Sequence, residues 1–134
     1  MAGRVALDTT FLIDLQRERV RQETDGPAHR FLSADPDVEL FLPATALGEF
    51  AEGFESADHP LLRVARELHV LLPVDEETAL VYGRVTRGLR GRGRLIGTND
   101  LWIAAASIRH GLALVTANVA DFSRVDGLEV LPYR

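Results

Sequence analysis

No cysteine occurs in this 134-residue chain, and none of its basic residues is lysine. The first absence excludes disulfides and thiolate metal sites. The second leaves no Walker-type "GK[ST]" nucleotide loop. Long hydrophobic runs are also missing, since a membrane-spanning helix needs about 20 consecutive apolar residues. The one N-terminal stretch that resembles a secretion leader is interrupted by Asp8 and Asp14. The expected location is therefore cytoplasmic, with no membrane partner. Excess basic charge is absent too: the formal net charge is −5. That balance argues against general binding of phosphate backbones.

Hydrophobic residues make up 46% and charged residues 26% of the chain, as in an ordinary globular protein. The length fits one domain, residues 1–134, with a core of useful size. All fifteen basic residues are arginine, and Arg84, Arg87, Arg90, Arg92 and Arg94 crowd together. Such a run is either a solvated helix end or an edge that contacts phosphate, for which the bidentate guanidinium is well suited.

Residues 4–7 read as a strand and 9–21 as a helix, with Phe11, Leu12 and Leu15 on one face. Pro27 opens a helix that runs to residue 34. A strand over 38–42 is stopped by Pro43, and helices follow over 44–54 and 60–69. Residues 70–74 form a third strand. Glu76 and Glu77 then sit in the first turn of a helix, where acids suit its dipole. The glycines at 88, 91, 93 and 97 make the Arg-rich segment 87–100 a mobile loop. Thr98 or Asn99 caps a helix over 101–110, and Gly111 ends it. Strands over 112–115 and 128–131 complete the chain. Continuous apolar strands alternating with helices predict α/β architecture with a mainly parallel central sheet covered on both faces, a three-layer α/β/α sandwich.

In such folds ligands bind beyond the carboxyl ends of the strands. Asp8 ends the first strand, and Glu49 lies in the helix after the second. Asp100 opens the helix before the fourth, and Asn118 and Asp121 follow that strand. Singly, each has a plain explanation: a helix cap for Asp8, a solvated face for Glu49, a dipole partner for Asp100, a turn for Asn118 and Asp121. Together they place an acid or amide at one edge from four segments. Converging carboxylates repel one another unless a cation joins them. Oxygen-only ligands suit Mg²⁺ or Mn²⁺. The four histidines, at 29, 59, 69 and 110, match no zinc spacing and read as structural or exposed.

Four stretches, "LDTTFLID" (7–14), "ATALGEFAEG" (44–53), "TNDLWIAAASIRHG" (98–111) and "LVTANVADFSRVDGLEVL" (114–131), resemble the PIN-domain family in its order and over nearly the whole chain. Members of this size are mostly VapC-type toxins. The resemblance implies an α/β/α sandwich and a Mg²⁺-dependent endoribonuclease that leaves 5′-phosphate and 3′-hydroxyl ends. It places Asp8, Glu49 and Asp100 on the family's three principal acidic, metal-binding positions. At the fourth position this chain has Asn118 where many relatives carry Asp, and Asp121 is a candidate auxiliary. Thr9 and Thr116 fall where hydroxyls support a carboxylate or water, whereas Asp14 is expected to be structural. The resemblance also implies a homodimer, an RNA substrate such as a tRNA or rRNA loop, and a cognate VapB-type antitoxin. The arginines at 84, 87, 90, 92 and 94 are the candidate contacts for RNA or antitoxin.

Rival readings fare less well. Receiver modules and haloacid-dehalogenase-type phosphatases use a lysine that this chain lacks. A non-toxin PIN nuclease of RNA processing and a catalytically idle PIN-like binding module are the alternatives left.

Overall fold

The computed structural model describes residues 3–134, so the first two residues of the expected 1–134 domain lie outside the described residues. The elements are β1 (Arg4–Leu7), α1 (Thr9–Val20), α2 (Pro27–Ala34), β2 (Glu39–Pro43), α3 (Ala44–Ala51), α4 (Pro60–Glu67), β3 (Val70–Leu72), α5 (Glu76–Gly91), α6 (Thr98–Arg109), β4 (Ala113–Thr116), α7 (Val119–Phe122) and β5 (Val130–Pro132). The sheet order is β3-β2-β1-β4-β5, and all four pairings are parallel.

Parallel neighbours need crossover connections, and these are right-handed. The run β1–β2–β3 therefore carries α1 to α4 across one face, and the return to β4 carries α5 and α6 across the other. Covered on both sides, the central strands bury Ala6, Leu7, Leu42, Leu114 and Val115 completely. That is why they read as continuous apolar runs. The direction of strand addition reverses between β1 and β4. Leu7 stands opposite Val115 there, so the next residues, Asp8 and Thr116, meet at the carboxyl ends of neighbouring strands. This is the topological switch point, where open α/β sheets place their sites.

The 87–100 segment departs from expectation. Gly88 and Gly91 are helical, α5 continues to Gly91, and only residues 92–97 lie between helices. A glycine inside a helix costs about 1 kcal/mol relative to alanine. Burial of a side chain such as Leu89, worth about 1.5–3 kcal/mol, offsets it. Val85 is buried as well, and Tyr82 of α5 stacks on Trp102 of α6 with ring centroids 3.8 Å apart. Gly93, with φ 66°, is the first glycine to leave the helix. Gly111, with φ 65°, ends α6 as expected. The N-cap of α6 is Gly97, not Thr98 or Asn99, and it makes no side-chain cap bond. Helix α3 stops at Ala51, β3 at Leu72 before Pro73, and β5 begins at Val130. The short α7 has no counterpart in the predicted elements.

Candidate active site

Asp8 is the helix cap that its plain reading expects, and its second oxygen is engaged as well. As the N-cap of α1, its Oδ1 accepts the Phe11 N–H at 2.9 Å. Its Oδ2 accepts the hydroxyl of Thr116 from β4. The residue is only 3% exposed. Burial pushes its carboxyl up, outweighing the bonds from Thr116 and Phe11, and the charges of Glu49 and Asp14 push the same way. Thr116 is itself aimed. Its oxygen accepts the Asn118 N–H at 2.8 Å, which leaves its one proton for Asp8.

Three further acids come to this edge from separate elements. Glu49 projects from α3, and its Oε1 accepts the Thr9 hydroxyl at 2.7 Å. Thr9 is the first residue of α1, so the start of one helix and the acid of another are joined. Asp100 lies in the first turn of α6. Its carboxyl is pushed up to about 6, first by burial and then by Glu49, Asp8 and Asp121 in turn. Asp121, in α7, accepts from Asn118 Nδ2 at 3.2 Å and stands 3.7 Å from the Arg124 guanidinium. Asn118 thus holds a neighbouring carboxylate in place without adding a charge of its own.

The donor set fits a hard divalent cation. Four carboxylates share one region of potential, all of them oxygen donors. Among the described residues, no three His, Asp or Glu side chains come together closely enough to hold a metal ion by themselves. An open arrangement suits Mg²⁺, which keeps several waters and takes only one or two carboxylates directly.

Other residues fall outside the cluster. Asp14 holds the end of the described chain: its Oδ2 accepts from the Tyr133 hydroxyl at 2.7 Å and from Arg134 Nε at 2.9 Å. The histidines serve local structure. His29 binds Glu18, His59 caps α4, His69 bonds the Ala65 carbonyl, and His110 is the C-cap of α6.

Arg84, Arg87 and Arg90 are exposed on α5. At 100° per residue they share an arc of roughly 120°. Arg94 is exposed beyond the helix. Arg92, grouped with them from the sequence, is engaged within the fold. It donates to Asp126 Oδ2 at 2.9 Å and to the Arg124 carbonyl at 3.4 Å. Arg84, Gly88, Arg92 and Asp126 line a cleft of about 210 Å³. Arg124 escaped notice in the sequence; its spacing of three from Asp121 was the available signal.

The PIN domain family model matches residues 5–128. The chain belongs to the PIN-domain family. This PIN domain is 30% identical over 126 residues to Ribonuclease VapC1 of Rickettsia felis, across 93% of this chain and 92% of that one. It is 31% identical over 126 residues to Ribonuclease VapC1 of Haemophilus influenzae strain R2866, across 92% of each. Among solved structures, VapBC-1 from nontypeable Haemophilus influenzae matches with a TM-score of 0.77 at 27% identity, over 97% of this chain and 98% of that one. VapBC2 from Rickettsia felis, solved with a DNA fragment of its promoter, shares the fold with a TM-score of 0.81 at 20% identity, over 98% and 99%. The PIN fold thus explains the wholly parallel sheet. Among the described residues, no helix is long and apolar enough to cross a membrane.

Proposed function

We propose that this PIN domain is a divalent-metal-dependent endoribonuclease and the toxin of a toxin–antitoxin pair. The observation that carries the reading is the convergence of carboxylates from separate elements at the switch point, where Thr116 fixes Asp8, Thr9 binds Glu49, and burial followed by Glu49, Asp8 and Asp121 pushes Asp100 up to about 6. Relatives named as VapC ribonucleases and neighbours solved as VapBC assemblies support it.

Asp8 and Asp100, with Glu49 directly or through water, would hold Mg²⁺ or Mn²⁺. Bound there, the cation supplies charge neutralisation at a scissile phosphate and a lowered pKa for the attacking water. Thr116 and the Phe11 N–H hold the two oxygens of Asp8 in a fixed plane, and Thr9 does the same for one oxygen of Glu49. Asn118 orients Asp121 as an auxiliary carboxylate. The exposed Arg84, Arg87, Arg90 and Arg94 would grip the RNA backbone and offset the repulsion from a chain of net charge −5. An unpaired loop of a structured RNA, such as a tRNA or rRNA, offers splayed bases and reachable phosphates. A homodimer and a VapB-type antitoxin complete the assembly, and a basic antitoxin side chain in the acidic pocket would block it.

The test incubates purified protein with total RNA, in Mg²⁺ or in chelator, beside Asp8→Asn and Asp100→Asn. Cleavage that requires Mg²⁺ and disappears in both variants is expected. No cleavage under any condition rejects the nuclease, and cleavage indifferent to both substitutions rejects the site.

A further inference from the structure

Two arginines link the segment before α6 to the segment after α7, and they do so reciprocally. Arg124 donates from one guanidinium nitrogen to the Leu95 carbonyl at 3.3 Å, and its other nitrogen stands 3.7 Å from Asp121 Oδ1. Arg92 returns the contact, donating to Asp126 Oδ2 at 2.9 Å and to the Arg124 carbonyl at 3.4 Å. Residues 92–97 lack regular structure of their own, and they lead straight into α6. That helix begins at a glycine cap with no side-chain bond. No side-chain cap therefore fixes its first turn, where Asp100 lies.

We propose that Arg124 is a positioning residue: with Arg92 it clasps residues 92–97 to the α7–β5 segment and so holds the start of α6, where Asp100 lies. In its consequence for metal this rests on the nuclease reading above; the clasp itself does not. Two properties of Arg124 make it suited to the task. Its planar fork spans a carbonyl and a carboxylate at once, which a lysine, a single point charge, cannot reproduce. Its side chain is one-third exposed (33%), so the pair with Asp121 is only partly screened. A purely electrostatic role predicts the opposite outcome. Removing a cation beside an acid cluster would then strengthen binding of a divalent ion, and lysine would substitute for arginine.

The experiment compares wild type with Arg124→Ala, Arg124→Lys and Asp126→Ala. The last lies on the surface, with a side chain 85% exposed, and loosens Arg92 without touching the acids. Metal-free amide exchange by NMR is read at Arg94, which bonds the Leu89 carbonyl, and at Leu101, which bonds Gly97. Exchange at both is expected to rise about tenfold in the two Arg124 variants and less in Asp126→Ala. Mn²⁺ alone, titrated by electron paramagnetic resonance of the free ion, is expected to bind about tenfold more weakly to both Arg124 variants. Unchanged exchange in all three variants overturns the clasp, and so does wild-type behaviour of Arg124→Lys. If wild type binds no Mn²⁺ while the exchange pattern holds, the metal reading fails and the clasp stands.

Discussion

The Thr116 hydroxyl donates to Asp8 Oδ2 across the β1–β4 boundary, joining residues 108 positions apart in sequence. It is the tie that fixes the orientation of a strand-end carboxylate. Thr116 is wholly buried, so no water can replace its proton.

Thr116→Val keeps the shape and removes the donor. Loss of a partner behind a metal ligand typically costs 10- to 100-fold in affinity or activity, and about that loss is expected in Mn²⁺ binding and RNA cleavage. The unpaired oxygen of Asp8 should lower stability by about 1–3 kcal/mol in denaturant melts. Thr116→Ser restores both.

Asp100 should be a stability liability in the metal-free protein. Burial, then Glu49, Asp8 and Asp121, raise its carboxyl from 3.8 to about 6. Between those values the folded state binds more protons than the unfolded state, so stability falls as pH rises through that window and stays lower above it. At pH 7.5, Asp100→Asn should stabilise the metal-free protein by about 1–2 kcal/mol, a value reduced for partial exposure. A thermal melt with and without Mg²⁺ checks this: Mg²⁺ should raise the Tm of wild type and not of the variant.

Divalent binding should weaken in acid for the same reason. An ion must displace the proton that Asp100 holds below about pH 6. One displaced proton corresponds to roughly a tenfold loss of Mn²⁺ affinity for each further pH unit. A titration series from pH 7.5 to 5 measures the slope; a flat series would place the ion elsewhere.

The exposed face of α5 should govern RNA affinity and leave metal binding alone. Replacing Arg84, Arg87 and Arg90 together by alanine removes up to three phosphate contacts. For single-stranded RNA that lowers the slope of log affinity against log salt by up to about 2. Filter binding in the Asp8→Asn background, where cleavage is expected to be lost, separates this from cleavage.

A second buried carboxylate does structural work far from the acids. Glu18, 5% exposed, accepts the N–H groups of Ala28 and His29 at 3.0 Å each and His29 Nδ1 at 2.8 Å. It caps α2 from outside, because the cap residue Gly26 has no side chain to offer. Burial pushes the Glu18 carboxyl up, but the bonds from His29 and Ala28 outweigh it and hold it below its ordinary 4.5. Its contribution is present above that value and fades as pH drops. Glu18→Gln should cost about 1–3 kcal/mol. Gly26→Ala should also destabilise, since a Cβ there would meet Glu18 Cδ at 2.3 Å. Cleavage per folded molecule should be unaffected in both.

Much of the fold could be read in advance because its signals are short-range. Continuous apolar strands, Pro27 at a helix start and Gly111 at a helix end each act within a few residues. The candidate acids were visible for a similar reason, since each lies just beyond a strand or early in a helix. The Arg-rich segment is the exception: its glycines signal a loop locally, but the α5–α6 interface, where Val85 and Leu89 are buried, carries the helix through Gly88.

By itself the sequence determined an α/β order of elements, a parallel sheet and the chemistry available at its carboxyl edge: hard oxygen donors, no thiol and no lysine. Only the tertiary structure decided the assignments. Thr116 orients Asp8, Thr9 orients Glu49, Asn118 serves Asp121, and Arg92 belongs to a clasp. The physical reason is range. Propensity and periodicity act over a turn of helix or a few residues of strand, whereas a hydrogen bond between distant side chains depends on strand register, which the packing of the whole core sets.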